Sequence, residues 1–185
     1  SYRRSSVMDL FRQRIPWLLL LMISATFTGM IITSFETALA AQVALTAFIP
    51  MLMDTGGNSG SQSSVTVIRA ISLGELSFKD LPMVVWKEIR TAVLCGISLA
   101  VVCFLKIMLI DRLLLSNDDI TVTLVVCLTL IVTVFLAKSV GAVLPLTAKR
   151  LGFDPAVMSS PFLTTIVDAL SLLVYFGIAR ILLGV

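Results

Sequence analysis

The amino-acid sequence predicts an all-α, polytopic membrane protein with five transmembrane helices. Three observations carry that prediction. The 185-residue chain is 58% hydrophobic and 14% charged, whereas ordinary soluble domains are about 45–50% apolar and about 25% charged; mean hydropathy is +1.05. The apolar residues fall in runs of about 20 or more, the length a helix needs to cross a hydrocarbon core about 30 Å thick. Short segments between the runs hold most of the charge. The net charge of +3 is too small to suggest nucleic acid, and histidine is absent, which removes the usual zinc ligand and general base. Cys95, Cys103 and Cys127 lie in apolar segments. They match no metal or redox spacing and read as small packing residues.

Residues 1–14 carry Arg3, Arg4, Arg12 and Arg14 and read as a cytoplasmic linker or interfacial helix ahead of a five-span pore domain, residues 15–185. The chain starts Ser1-Tyr2 without Met and reads as a piece of a longer protein. Ile15 to Phe35 is uncharged, with Trp17 at its start, where aromatic anchors are common. Glu36 marks a tight turn. The second crossing runs from Thr37 to about Ile68, with Asp54 as its one charged residue. As one straight helix it would span roughly 48 Å at ~1.5 Å per residue, more than the hydrocarbon core. It is therefore expected to be tilted or interrupted, and Gly56-Gly57 is the predicted break. Irregular backbone at membrane depth survives only where protein or a water-filled cavity covers its polar groups.

Arg69 to Arg90 alternates Phe78, Leu81, Val85, Trp86 and Ile89 with charged residues, the pattern of an amphipathic elbow at the interface. The third crossing is Thr91 to Ile110, with Lys106 near its end, where a long stem can snorkel. Asp111 to Asp119 reads as a short acidic loop. The fourth crossing runs from Ile120 to about Leu146 and contains Lys138; the fifth is Pro155 to Ala179, with Asp168 near its middle. With the N-terminus in the cytoplasm, the inner segments hold Arg3, Arg4, Arg12, Arg14, Arg69, Lys79, Lys87, Arg90, Lys149 and Arg150, and the outer loops hold Arg112. That asymmetry predicts an inside N-terminus and an outside C-terminus.

Two acids lie within crossings. An Asp at a helix centre costs about 2.5–3.5 kcal/mol on insertion scales, so it needs a partner, a cavity or a cation. Thr164 lies one turn before Asp168 and Ser171 three residues after it, a polar stripe on one helix face. Two readings of Asp168 are open: a salt bridge to Lys138, or a cation site facing a pore. Asp54 is equally divided between capping a helix that resumes after Gly56-Gly57 and lining a pore. Asn58 and Gln62, four apart, share a face and serve either the broken backbone or the water around an ion. Asp54-Thr55-Gly56 spells an aspartic-protease triplet, but nothing reads as the alternating strands of that fold. The glycines are not followed by the Lys of a nucleotide-binding loop.

The run P-M-L-M-D-T-G-G-N-S-G-S-Q, Pro50 to Gln62, followed by V-I-R-A-I-S-L-G-E-L, resembles the second-span signature of the MgtE family of magnesium channels. F-D-P-A-V-M-S-S-P-F-L-T-T-I-V-D, Phe153 to Asp168, is similar to that family's last loop and fifth span. The resemblance covers essentially the whole chain. It implies five spans, a homodimer and a pore between the two copies, with no enzymatic role. It implies further that Asp168 is the principal ion-binding acid, that Thr164 lends oxygen one turn below, and that Asp154 is a second acid at the cytoplasmic mouth. Cytoplasmic magnesium-sensing regions usually precede this part of the family's proteins.

The residues and the resemblance meet in one expectation, a path for hydrated Mg²⁺ as both transported and bound ion. Mg²⁺ prefers six oxygens at about 2.0–2.1 Å and gives up water reluctantly, so a site for it holds a few carboxylates around a hydration shell. Asp54, Asn58, Gln62, Ser171 and the Gly56 and Gly57 carbonyls are the expected pore lining. A secondary transporter of a small solute, built on the broken helix, is the alternative. An intramembrane aspartyl protease using Asp54 and Asp168 would need the two carboxyls within shared-proton distance.

Overall fold

The computed structural model describes residues 6–111, 113 and 119–184. Arg3, Arg4 and Arg112, and most of the predicted acidic loop, lie outside them. The described residues form helices α1 (Val7–Ser34), α2 (Glu36–Ala41), α3 (Ala44–Ser72), α4 (Leu81–Lys106), α5 (Ile120–Arg150) and α6 (Pro155–Leu183). A 3₁₀ turn, Phe78–Asp80, leads into α4, and a π-helical turn, Ile107–Asp111, ends it. Local chemistry sets the boundaries. Ser6 and Asp9 make a capping box for α1, and Asp119 and Asp154 cap α5 and α6 by accepting from the N–H of Thr121 and Ala156. Gly74, Gly152 and Gly184 have φ of 76°, 82° and 70°, the left-handed conformation that lets a chain leave a helix.

Four of these helical segments are long and apolar enough to cross a membrane: Val7–Ser34, Phe78–Asp111, Ile120–Arg150 and Ser159–Leu183. α3 is long enough, but its polar middle, Asp54 to Gln62, dilutes its apolar character. The packing sets its direction. Gly56 sits against Thr133 of α5 and Gly60 against Ala137, so α3 and α5 run parallel. On α6 the order reverses, with Gly56 against Val167 and Gly60 against Leu163. Gly96 against Ile131 and Cys127 Sγ bonded to the Ala100 carbonyl make α4 and α5 antiparallel. Ser24 to Thr165 at 2.9 Å and the Phe35–Phe176 ring stack at 4.6 Å make α1 and α6 parallel.

α5 is the central helix, touching α3, α4 and α6. The larger core joins Leu45, Phe48 and Leu52 of α3, Val122, Val125, Val126 and Leu130 of α5, and Leu172, Tyr175 and Phe176 of α6. Tyr175, fully buried, donates its hydroxyl hydrogen to the Leu45 carbonyl at 2.8 Å. Tyr175→Phe should therefore lower stability by about 0.6–1 kcal/mol, read as an earlier melting midpoint in detergent. An unchanged midpoint would mean that this bond contributes nothing. Outward-facing Leu94, Val102, Leu105 and Leu109 are exposed on the single chain, as suits helices solvated by lipid.

Three expectations change. The predicted break at Gly56-Gly57 is absent: α3 is helical from Ala44 to Ser72, and the interruption falls earlier, at Gln42-Val43, between α2 and α3. The reason is packing. Gly56 and Gly60 cost helix propensity, but they let α5 and α6 approach too closely for a Cβ. The interfacial elbow is not a separate element; α3 continues to Ser72, and α4 begins at Leu81, with Pro82 in its first turn. Lys106 does not merely snorkel. Its ammonium pairs with buried Asp111 at 2.7 Å and lies 5.9 Å from the Phe48 ring. On the N-terminal side, residues 7–14 continue into the first crossing without a break, through Pro16.

Candidate functional site

Asp168 lies 13 residues from the start of α6 and 15 from its end, close to the helix midpoint. It is partly exposed. Among the described residues it has no hydrogen-bond or ion-pair partner; the one ion pair there is Lys106–Asp111. The salt bridge to Lys138 weighed from the sequence is therefore not formed. The helix contacts give the reason. Val167 lies at the level of Gly56, and Ala137 at the level of Gly60; with α6 antiparallel and α5 parallel to α3, Lys138 is displaced from Asp168 by about six residues of helix, ~9 Å.

Around Asp168 the predicted stripe divides. Thr164 is exposed, with its hydroxyl donating to the Ser160 carbonyl at 3.1 Å. Ser160, Thr164 and Asp168, each four apart, make one accessible row along α6. Ser171 does not belong to it. It is 2% exposed, donates to the Val167 carbonyl at 2.6 Å and faces Gly56, so in this chain its hydroxyl serves the α3–α6 contact and not an open lining. Asp154 is exposed, and its carboxylate accepts from the Ala156 N–H at 2.9 Å. It stands beside a cavity of about 400 Å³ between the end of α3 and the α5–α6 turn.

The α3 residues sort by face. Asp54, Asn58 and Gln62 are exposed and line one cavity of about 530 Å³ with Ser98 of α4 and Lys138 of α5. Asp54 caps nothing, because the helix it was to cap never stops. Gly56 is buried against Thr133, Val167 and Ser171, whereas Gly57 meets nothing within 4 Å. Their carbonyls lie inside a continuous helix, where the backbone ladder engages them, so the expected free carbonyls of a broken segment are not offered. Asp168 is not among the residues that line the Asp54 cavity. Among the described residues, no three His, Cys, Asp or Glu side chains gather as metal ligands. One chain thus offers Asp168 as a single carboxylate on an open face, flanked by hydroxyls.

Two features escaped the sequence reading. The first is the close crossing of α3 and α5, where Gly141 meets Gly60 backbone to backbone; the signal was present in Gly56-x-x-x-Gly60, the small-residue spacing of close membrane helices. The second is the bond from the Ser63 hydroxyl to Glu88 Oε2 at 2.6 Å, which ties α3 to α4 and has no local sequence signal.

Comparison with known proteins identifies the family. The MgtE family model, described as a divalent cation transporter, matches residues 49–178. The magnesium transporter MgtE of Thermus thermophilus is 35% identical over 182 residues, covering 98% of this chain and 39% of that protein. The magnesium transporter MgtE of Bacillus subtilis is 37% identical over 167 residues, 90% of this chain and 36% of that protein. The relative of the same name from Enterococcus faecalis is 29% identical over 90% of this chain. The chain thus spans less than two fifths of the T. thermophilus and B. subtilis relatives' own length. Since the family model covers most of the chain, from the second turn of α3 to near the end of α6, this protein belongs to the MgtE family of divalent cation transporters.

Proposed function

We propose that this chain is the membrane part of a pathway that carries hydrated Mg²⁺ across the cell membrane, with the conduit between two copies of the chain. The observation that carries the reading is Asp168: a carboxylate at mid-helix, accessible, unpaired among the described residues and too costly to leave against lipid. A second copy related by a two-fold axis brings a second carboxylate, and one divalent ion offsets both charges. Thr164 and Ser160 add hydroxyl oxygens along the same row. The ion keeps most of its water, because Mg²⁺ dehydrates reluctantly. Larger Ca²⁺, with more ligands at about 2.3–2.6 Å, is rejected by the fit of the shell to the conduit. Asp154 is the acid at the cytoplasmic mouth.

In this reading α3 is the fifth crossing, its polar middle covered by protein or water instead of lipid. The helix directions alternate as five crossings require: α1, α4 and α6 one way, α3 and α5 the other. That alternation supports a reading with Arg12, Arg14, Arg69, Lys79, Lys87, Arg90, Lys149 and Arg150 on one side, the cytoplasmic side by the positive-inside rule. A cytoplasmic magnesium-sensing region belongs to the same full-length protein. The relatives bear the name magnesium transporter, which favours Mg²⁺ over other divalent cations as cargo.

Reconstitution into liposomes holding a Mg²⁺-sensitive dye tests this. We expect Mg²⁺ entry driven by its own gradient and the membrane potential. Entry that requires a proton or sodium gradient would favour the coupled-transporter alternative, and no entry at all would remove the reading.

A further inference from the structure

Lys138 is the most anomalous group in the membrane-spanning part of the chain. It is 4% exposed and lies 18 residues from the start of α5 and 12 from its end, deep in the bundle. Among the described residues no hydrogen-bond or ion-pair partner reaches its ammonium. A lysine at such depth is retained only where a partner, a cavity or a function repays it. The cavity is there: Lys138 lines the groove between α3 and α4 together with Asp54, Thr55, Asn58, Ser59, Gln62 and Ser98. Asp54, Asn58, Gln62 and Ser98 are exposed on the single chain, so the groove opens at its surface.

Without the lysine, this groove is chemically a divalent-cation site. It offers a carboxylate, two carboxamide oxygens and three hydroxyls, all hard oxygen donors of the kind Mg²⁺ and Mn²⁺ prefer. With the lysine, its formal charge is zero. A conduction pathway has reason to avoid such a trap, since an ion held beside the path must leave before it can pass, and binding must stay weak enough for release. We propose that Lys138 is a charge-compensating residue. Its ammonium balances Asp54 in the α3–α4 groove and keeps this oxygen-rich cavity from capturing a divalent cation, leaving ion binding to the pathway along α6. The proposal rests on the cation pathway proposed above.

The test counts Mn²⁺ bound to the purified protein in lipid nanodiscs by electron paramagnetic resonance. Lys138→Gln should bind one more Mn²⁺ per chain than the wild type, and Asp54→Asn in that background should remove the added ion. Lys138→Arg, which keeps the charge, should bind the wild-type number. Ser98→Asp, on the exposed wall of α4, should also add one ion without disturbing the buried lysine, and it decides the matter if Lys138→Gln does not fold. A wild-type count in folded Lys138→Gln or in Ser98→Asp, an added ion in Lys138→Arg, or an added ion that survives Asp54→Asn overturns the proposal. Asp168→Ala separates the two readings. It should lower the wild-type count if the pathway runs along α6, and it should leave the ion gained by Lys138→Gln in place.

Discussion

Asp168→Ala should abolish Mg²⁺ influx while the protein still folds and pairs. The effect is electrostatic and can be bounded. A divalent ion held ~5 Å from a carboxylate through its hydration shell is attracted by about 1.7 kcal/mol at the dielectric of bulk water and by about 7 kcal/mol at an effective dielectric of ~20. Since ~1.4 kcal/mol is tenfold in occupancy, even the weaker figure predicts more than a tenfold loss from one acid, and the two-fold pair loses two. The fold loses little. Asp168 makes no hydrogen bond or ion pair among the described residues, and removing an unpaired acid from mid-helix relieves an insertion cost of about 2.5–3.5 kcal/mol. Melting temperature should therefore hold or rise as transport falls. Asp168→Glu, with the charge kept on a longer stem, should retain part of the flux. The measurement is Mg²⁺-dependent growth and uptake in a strain lacking other Mg²⁺ uptake, with crosslinking to follow pairing. Wild-type uptake by Asp168→Ala would remove Asp168 from the pathway.

Asp168 stood out in the sequence because membrane burial makes a lone acid conspicuous. In a chain with so few charges, one carboxylate amid apolar residues is an exception that demands a cause, and no coordinates are needed to notice it. The membrane class and most of the helix boundaries were legible for the same reason: apolar length, Asp119 and Asp154 at N-caps, and glycines where helices end. The conformation of Gly56-Gly57 was not. Glycine permits both a break and a close approach, and which of these applies depends on what lies opposite. Here that is Thr133, Val167 and Ser171, from helices some 75 to 115 residues away in sequence. Ser171 was misassigned by the same blindness. Spacing places it within reach of the Asp168 face, but three residues on a helix leave room for it to turn inward, and only the α3 contact decides. The groove of Lys138 needs three helices to exist, so no single segment announces it.

Gly141→Ala should be among the most destabilising single substitutions in this chain, and Gly57→Ala among the mildest. Both add one methyl group to a helix interior, where alanine is by itself better than glycine by about 0.8–1.0 kcal/mol, so their difference reports on the neighbours alone. At Gly141 the new Cβ would strike the Gly60 carbonyl oxygen, with the Gly60 Cα 3.1 Å away. Those are backbone atoms inside α3 and have no rotamer to escape into. Relief requires α3 and α5 to part, and that loosens the crossing on which the larger core is built. Overpacking of this kind costs about 1–3 kcal/mol and occasionally more; rigid backbone on the receiving side places Gly141 at the upper end, above its propensity gain. Gly141→Leu should prevent folding. At Gly57 the Cβ meets nothing within 4 Å, so the propensity gain stands and the melting midpoint should stay level or rise. Thermal unfolding in detergent, run on both variants and the wild type, checks the pair. A Gly141→Ala protein as stable as the wild type would mean that α3 and α5 do not cross in contact. A marked loss in Gly57→Ala would mean that the backbone there must leave the helix after all, and would restore the interruption that the two glycines suggest when read alone.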